Sequence, residues 1–243
     1  MQTLTFKKRE DAAAGTATFF FEKPENFVFL AGQYVAIKLD NLVAPDTRSG
    51  ARSLSISSAP FEEDLAFTVR GGDSGFKQTL WKLEPGDTVS ITPPVGRFVL
   101  EPGDTRPVVF LVGGVGITPA RSILKQAEHE GDTRPFVLLY ANRTLPDAPF
   151  AEELRSLKLG NFRYADVLSQ ESSPSQGEFD ERGYITTEVL KRHVDKIADS
   201  LYYIVGSPSF IEAMEKMLDS VGVTKEQRHK DPFTGLGSAN LKA

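Results

Sequence analysis

The spacing of apolar segments along the chain changes near residue 101. Before this point, short apolar segments are separated by turns rich in Pro, Gly and Asp. We predict seven strands here, over Leu4–Lys8, Thr16–Phe21, Tyr34–Leu39, Arg52–Ser57, Leu65–Arg70, Thr88–Ile91 and Phe98–Leu100. Such regularly spaced short strands are typical of an antiparallel barrel or sandwich. The segment from Ser74 to Leu83 has helical character and is expected to cap one end of the barrel.

After residue 104, predicted strands and helices alternate. The strands are Val108–Val112, Phe136–Tyr140, Phe162–Val167 and Leu201–Val205, and the helices are Pro119–Glu130, Phe150–Lys158, Thr186–Val194 and Pro208–Val221. This alternation favours a parallel sheet with helices on both faces, in which ligands bind at the carboxyl ends of the strands. With 243 residues the chain is long enough for two domains, which we predict over residues 1–103 and 104–243.

Composition argues against several classes of function. The net charge of −5 gives no general attraction to nucleic acid or to anionic membranes. The chain has no cysteine, so it can form neither disulfides nor thiolate-held iron–sulfur centres, and its three scattered histidines do not suggest a metal site. We see no membrane span and no signal peptide, so a cytoplasmic location is expected. Residues Ser169 to Phe179 are expected to form a mobile surface loop.

A glycine-rich segment follows the apolar run Val108–Val112. Its glycines allow a tight turn and the close approach of a ligand, and Thr118 is a candidate N-cap before Pro119 in the first helical position. We expect this helix to stop at Gly131. A strand, a glycine turn and a helix N-terminus together suit the pyrophosphate of a dinucleotide. The spacing is not G-x-G-x-x-G, however, so this segment alone also fits an ordinary turn of an α/β protein.

Two segments in a fixed order give the chain a resemblance to a known family. They are Arg52-Ser53-Leu54-Ser55 in the first half and Gly113-Gly114-Val115-Gly116-Ile117-Thr118-Pro119 in the second. Three shorter matches support them: Gly32-Gln33-Tyr34, Glu84-Pro85-Gly86-Asp87 and Pro94-Val95-Gly96-Arg97-Phe98. Over nearly its whole length the chain resembles the ferredoxin–NADP reductase family of flavoproteins. The resemblance implies an N-terminal antiparallel, Greek-key-type flavin-binding barrel followed by a parallel-sheet nucleotide-binding domain.

The resemblance implies FAD as the cofactor of the barrel. Arg52 would pair with the FAD pyrophosphate, and Ser55 would hydrogen-bond N5 of the isoalloxazine ring as the catalytic residue. A guanidinium fork suits phosphate oxygens, and a hydroxyl can both donate and accept. The predicted FAD-binding residues are Arg52, Ser53, Leu54, Ser55, Val69, Arg70, Gly75, Phe76, Lys77 and Phe233. The alternative is a plain barrel strand with Leu54 and Ile56 in the core and Arg52 in solvent.

The chain departs from the family pattern at several positions. Leu54 and Leu236 stand where aromatic residues are usual, and Val205 replaces a cysteine near the nicotinamide. Lys77 takes the place of a small hydroxyl residue. We expect Lys77 to meet the pyrophosphate together with the backbone N–H groups of residues 75–77, although a surface lysine on an amphipathic helix is the alternative.

The nicotinamide dinucleotide is predicted to bind at the strand ends of the second domain. Its predicted contacts are Gly113, Gly114, Gly116, Thr118, Pro119, Asn142, Arg143, Gly206, Ser207 and Pro208. Arg143 follows the second strand of this domain, where an arginine suits the 2′-phosphate of NADPH better than the free ribose of NADH. Tyr184 stands where a second arginine is common in the family. The sequence therefore favours NADPH with some use of NADH, unless Arg143 is only a solvated loop charge.

The resemblance implies an FAD-dependent NAD(P)H oxidoreductase. Such an enzyme would divide a hydride into single electrons for a separate acceptor such as ferredoxin, flavodoxin or an oxygenase component. Two alternatives stay open. The chain could reduce free flavin or quinone, or it could be a flavin-binding module that has lost turnover because of the residues at positions 54, 205 and 236.

Overall fold

The computed structural model describes residues 2–171 and 180–233, and it contains two six-stranded sheets. The first sheet is antiparallel and is called the antiparallel half. Its elements are β1 (Gln2–Ala13), β2 (Thr16–Glu22), β3 (Tyr34–Lys38), β4 (Ala51–Ser55), β5 (Asp64–Arg70), α1 (Gly75–Leu80) and β6 (Thr88–Ile91). The strand order is β4-β3-β6-β1-β2-β5, so neighbours in space are often distant in sequence, as in a Greek key.

The antiparallel sheet curls until its two edges meet. Ser57, just beyond β4, donates its backbone N–H to the carbonyl of Ala66 on β5, at 2.9 Å, and Ser58 Oγ accepts the N–H of Ala66. Buried aromatic rings fill the interior, with the Phe21 ring packed edge-on against Phe6 and Phe67. The predicted antiparallel barrel is therefore confirmed.

The second sheet is parallel throughout and forms the parallel half. Its strands are β7 (Val108–Gly113), β8 (Phe136–Asn142), β9 (Phe162–Leu168), β10 (Glu181–Arg182), β11 (Leu201–Gly206) and β12 (Arg228–Pro232). The helices are α2 (Ile117–Glu130), α3 (Ala151–Arg155), α4 (Thr187–His193) and α5 (Pro208–Ser220). The buried side chains of α2 and α3 share one core and those of α4 and α5 share another, so helices cover both faces of the sheet.

The order of the parallel sheet determines where a ligand can bind. The strands run β10-β9-β8-β7-β11-β12, so β8 lies on one side of β7 and β11 on the other. The chain therefore reverses its direction of progress across the sheet at β7. In open α/β sheets, ligands bind beyond the carboxyl ends of the strands at such a switch point. The glycine segment that follows β7 lies at this position.

Several sequence predictions need correction. Residues Phe98–Leu100 form no strand; Phe98 instead packs edge-on against Tyr203 in the core of the parallel half. Gly114–Gly116 form a 3-10 turn, and Gly116 is the N-cap of α2, so Thr118 lies inside the helix and is not its cap. The predicted stop at Gly131, in the left-handed conformation, is confirmed. Residues 172–179 of the expected mobile loop and Leu236 lie outside the described residues.

The short strands β10 and β12 were not predicted. The sequence of β12, Arg228 to Pro232, carries four charged or titratable side chains and no apolar alternation. It is a strand because it pairs in parallel with β11 at the edge of the sheet, from Tyr202 opposite Arg228 to Gly206 opposite Pro232. Within the described ranges, no helix is long and apolar enough to cross a membrane.

Candidate functional site

A cavity of about 460 Å³ lies between the two halves. Nine of the ten predicted flavin residues line it: Arg52, Ser53, Leu54, Ser55, Val69, Arg70, Phe76, Lys77 and Phe233. Seven further residues line it as well: Tyr34, Arg48, Thr68, Val115, Thr118, Asp231 and Pro232. Thr118, which is predicted to contact the nicotinamide dinucleotide, thus lines the same cavity as the predicted flavin-binding residues. One cavity therefore receives side chains from the barrel, from the glycine segment and from β12.

Arg52 is held by a carboxylate that the sequence analysis did not identify. Its Nη1 and Nη2 donate to Oδ1 and Oδ2 of Asp46 at 2.9 and 2.7 Å, and the Asp46 side chain is fully buried. Nη1 also donates to the Ala51 carbonyl, and the guanidinium lies 5.3 Å from the ring centre of Phe76. Asp46 therefore binds the Nη1–Nη2 edge of the Arg52 guanidinium. Within the described residues the Nε–H of Arg52 has no acceptor, so the Nε–Nη2 edge is left for a ligand.

The start of α1 does not offer the free N–H groups that the sequence suggested. The N–H of Gly75 donates to the Pro45 carbonyl, that of Phe76 to Asp46 Oδ2, and that of Lys77 to Ser74 Oγ. Gly75 is absent from the cavity lining because it packs against the loop before β4, where an added Cβ would lie 2.1 Å from the Ala44 carbonyl oxygen. The predicted anion contact at α1 therefore depends on the Lys77 side chain.

Positive charge is concentrated at this end of the cavity. The pKa of Lys77 lies below its usual value, first because the ammonium group is partly buried and then because Arg52 and Arg70 repel it. Its Nζ donates to the Gly71 carbonyl at 3.3 Å. An anion bound among these three cations would relieve their repulsion. The donor set therefore fits a diphosphate such as that of FAD.

The other notable polar contact of the cavity joins the two halves. Ser55 is buried on β4, and its Oγ donates to Oδ2 of Asp231 on β12 at 3.4 Å. Burial raises the pKa of Asp231, and the Ser55 hydrogen bond offsets this only in part. In the sheet, Asp231 is paired with Val205, at the carboxyl end of β11. The edge strand β12 of the parallel half thus places a carboxyl group beside Ser55, the predicted catalytic residue.

The two glycine loops predicted for the nicotinamide dinucleotide lie against each other. A Cβ added to Gly116 would lie 3.0 Å from the Val205 carbonyl oxygen, and one added to Gly206 would lie 3.5 Å from Cα of Gly113. Ser207 caps α5 by accepting the N–H of Phe210 at 3.2 Å, and Pro208 occupies the first turn of that helix. The predicted convergence of the two loops on one crevice is confirmed.

The remaining predicted nicotinamide residues differ in exposure. Gly114 begins the 3-10 turn directly after Gly113, and Pro119 is buried in the first turn of α2. Asn142 is buried at the end of β8, and its Nδ2 has no hydrogen-bond partner among the described residues. Arg143 is exposed directly after it, and its carbonyl accepts the N–H of Gln170. Asn142 therefore has an unused donor, and the Arg143 side chain extends from the same edge of the sheet as the glycine loops.

Comparisons with known proteins agree with this geometry. The family model described as the oxidoreductase NAD-binding domain matches residues 110–216. The chain is 32% identical to ferredoxin–NADP reductase B of Sorangium cellulosum, over 83% of this chain and 81% of that protein. It is 31% identical to the reductase component of propane 2-monooxygenase from Mycolicibacterium goodii, over 87% of this chain but only 61% of that protein. The flavohemoprotein-like FAD/NAD-binding domain of a nitric oxide dioxygenase from Vibrio cholerae has the same fold, with a TM-score of 0.80, 23% identity and coverage of 96% and 98% of the two chains.

Proposed function

Because the chain belongs to the ferredoxin–NADP reductase family, we propose that it is a flavoprotein reductase that takes electrons from NAD(P)H and delivers them singly to a separate acceptor. FAD and a nicotinamide dinucleotide are the cofactors of this family. A bound flavin accepts electrons as a pair from a nicotinamide and releases them one at a time. The observation that carries the proposal is the cavity itself, where cations from the barrel and residues of the glycine segment line the same space.

We infer that the cationic end of the cavity binds the diphosphate of FAD. Arg52 would use its free Nε–Nη2 edge, since Asp46 holds the other edge. Lys77 and Arg70 would supply further positive charge. The burial of Asp46 and its three backbone N–H partners, from Arg48, Gly50 and Phe76, fix the guanidinium before the ligand arrives. A preorganised donor binds its ligand with a smaller loss of conformational entropy.

We infer that Ser55 holds a proton near the reacting atoms. Its hydroxyl can donate into the cavity, or it can donate to Asp231 as in this structure. Which of these it does depends on the charge of Asp231, since a protonated carboxyl group can itself donate to the Ser55 oxygen. Ser55 is buried and Asp231 is partly buried, which strengthens these hydrogen bonds relative to those in bulk water.

The nicotinamide dinucleotide is proposed to bind at the outer side of the two glycine loops, Gly113–Gly116 and Gly206. Absence of Cβ atoms on Gly116 and Gly206 lets the buried backbones of the two loops lie in contact, and Gly114 has open space where a side chain would lie. Val115 of the first loop and Thr118 in the first turn of α2 line the cavity proposed for the flavin, which supports direct contact between the two cofactors. Arg143 is proposed to favour NADPH through its 2′-phosphate, with NADH as a weaker substrate.

The acceptor is proposed to be a one-electron protein such as a ferredoxin, a flavodoxin or an oxygenase component. Similarity to a ferredoxin–NADP reductase and to a reductase component of a monooxygenase supports this class. The chain spans only 57 to 61% of the length of the propane monooxygenase reductase components that it matches. The cytoplasmic location expected from the sequence stays a prediction.

The proposal is tested by purifying the chain, identifying the bound flavin by mass and titrating it anaerobically with NADPH and NADH. We expect FAD, and we expect either nicotinamide to bleach its yellow absorbance. Steady-state reduction of ferredoxin, flavodoxin, ferricyanide and free flavin then identifies the acceptor class. A yellow protein that stays yellow with both nicotinamides would indicate a binding module without turnover. Turnover with free flavin but with neither protein acceptor would instead favour a flavin reductase.

A further inference from the structure

Arg121 lies on α2 and joins the two halves of the molecule beside the candidate site. Its Nη1 donates to the carbonyl of Ser57 at 2.7 Å, and Nη1 and Nη2 donate to the two carboxylate oxygens of Glu62 at 2.9 and 3.1 Å. Ser57 and Glu62 both belong to the antiparallel half. Nε and Nη2 donate to Glu153 on α3 of the parallel half, at 2.8 and 2.6 Å. One guanidinium therefore makes five hydrogen bonds, three of them to the opposite half.

The surroundings of Arg121 hold it in one orientation. Its side chain is only 11% exposed, and its guanidinium lies 4.9 Å from the ring centre of Phe150. Phe150 has a φ of +62°, an uncommon conformation for a residue with a large side chain, directly before α3. Both carboxylates and the aromatic ring thus lie around the Arg121 guanidinium, and Lys125 Nζ is 4.0 Å from Glu153 Oε1. A planar guanidinium can satisfy this arrangement, whereas a lysine ammonium lacks the five fixed donors.

The rest of α2 continues the same contact. Ser122 Oγ donates to the Ser58 carbonyl at 2.7 Å, and both residues are buried. One further turn along, Gln126 accepts the N–H of Phe61, and the Phe61 ring stacks on His129 with centres 4.0 Å apart. One face of the helix therefore lies along residues 57–62 of the barrel. Arg121 is the member of this face nearest to the glycine segment.

The position of Arg121 in the sequence connects both cofactor sites. Ser57, which it binds, follows Ser55 by two residues on the same extended segment. Arg121 itself follows Thr118 by three residues, or about one helical turn. A displacement of the guanidinium relative to Ser57 would therefore change the distance between the flavin strand and the nicotinamide loop. Hydride transfer is sensitive to such a displacement, because reacting atoms must approach to within about 3.5 Å.

We propose that Arg121, through its bonds to Ser57 and Glu62, is a positioning residue that sets the separation of the flavin and nicotinamide sites. The expected effect on the rate of flavin reduction rests on the proposed function. The anchoring of α2 to residues 57–62 through Arg121 does not depend on what the chain catalyses.

The chain offers a matched pair of variants to test this proposal. Glu62→Gln weakens the bond of Arg121 to the opposite half, and Glu153→Gln weakens an equivalent bond within the parallel half. Both remove one carboxylate charge from the same guanidinium. In stopped-flow experiments on the flavin-loaded protein, we expect Glu62→Gln to lower the limiting rate of flavin reduction about tenfold. Glu153→Gln should change this rate less than twofold, and neither variant should shift the flavin Kd or the nicotinamide Kd by more than about twofold.

Hydrogen exchange on the same proteins without nicotinamide separates the two proposals. Glu62 also accepts the N–H of Ala59 at 2.6 Å, so Arg121→Lys, which leaves that bond in place, is the decisive variant. We expect faster exchange over residues 57–62 in both Glu62→Gln and Arg121→Lys than in Glu153→Gln. If the unsubstituted chain did not reduce its flavin, the proposed function would fail while the exchange comparison still tested the anchor. Equal rates and equal exchange in the two glutamine variants would overturn the positioning role of Arg121.

Discussion

The cavity proposed for the flavin and the crevice proposed for the nicotinamide offer different kinds of groups to an anionic dinucleotide. The cavity offers charged side chains, and Arg52 is paired there with the buried Asp46. In the crevice, glycines bring two backbone loops into contact, and the one predicted cation, Arg143, is exposed. The cavity should therefore be sensitive to single side-chain substitutions in both binding and stability. The crevice should tolerate loss of its cation and change only in cofactor preference.

The largest effect is expected for Arg52→Ala, which tests whether the charged side chains of the cavity contribute to flavin binding and to stability. Removal of the guanidinium leaves the Asp46 carboxylate buried with only its N–H partners, so we expect the free energy of unfolding to fall by about 3 kcal/mol. Flavin affinity should fall by about 1.5 to 3 kcal/mol, the range for a charge-assisted hydrogen bond. Urea unfolding and flavin titration measure the two effects separately.

Combining Arg52→Ala with Asp46→Asn provides the control. Removing the buried charge should recover much of the lost stability. Flavin affinity should stay low, because the guanidinium that is proposed to bind the FAD diphosphate is still absent. If flavin affinity returned together with stability, Arg52 would act through folding alone. Retention of flavin at the unsubstituted level in Arg52→Ala would remove it from the binding site.

A smaller effect, on rate, is expected for Ser55→Ala where the cavity meets the crevice. The hydroxyl is proposed to interact with the reacting atoms more strongly in the transition state than in the resting complex, so its loss affects the rate more than binding. We expect stopped-flow flavin reduction to slow by about a hundredfold, which is the lower end of the range for loss of an active-site hydrogen-bond donor. Flavin Kd should change less than the rate does. An unchanged rate of reduction would exclude this role.

The sequence predicted the motif residues of this site better than the acidic residues that bind them. Arg52, Ser55 and the glycine segment could be identified because motifs and strand periodicity point to them directly. Asp46 could not, since it lies in the irregular loop before β4 and acts only through its contact with Arg52. Asp231 could not be identified either, since its contact with Ser55 depends on β12, an edge strand without an apolar pattern.

The same limit applies to the fold. Long buried strands such as β7 and β8 were predicted to within two residues, because each is a continuous apolar run. The predicted strand at Phe98–Leu100 was wrong, because its apolar residues are buried against the parallel half and not in a sheet. The expected boundary between residues 103 and 104 stays a prediction. Since Phe98 already packs with the parallel half, contacts between the halves begin before that boundary.

Arg143→Ala tests the crevice and should have a smaller effect than Arg52→Ala. If Arg143 binds the 2′-phosphate, the KM for NADPH should rise about tenfold, which corresponds to about 1.4 kcal/mol for one exposed charged contact. The KM for NADH should stay nearly unchanged, which makes NADH the internal control, and stability should not change because the side chain is exposed. Equal changes for the two nicotinamides, or a preference of the unsubstituted chain for NADH, would show that Arg143 does not recognise the phosphate.

The smallest effects concern pH and contrast the carboxyl groups of Asp46 and Asp231. The Arg52 guanidinium, with backbone N–H groups, holds the pKa of Asp46 well below its usual range, whereas burial raises that of Asp231. Asp46 therefore stabilises the folded chain above the unfolded pKa of about 3.9, and this contribution is lost as the pH falls. The contribution of Asp231 has the opposite pH dependence, since it is complete below that value and is lost as the pH rises through the folded pKa of Asp231.

Urea unfolding between pH 3 and pH 7 measures both effects. The loss of stability caused by Asp46→Asn should become smaller as the pH falls. Asp231→Asn should become more stable relative to the unsubstituted chain as the pH rises to neutral. Parallel pH profiles for the two variants would mean that their carboxyl groups have similar surroundings, contrary to the structure.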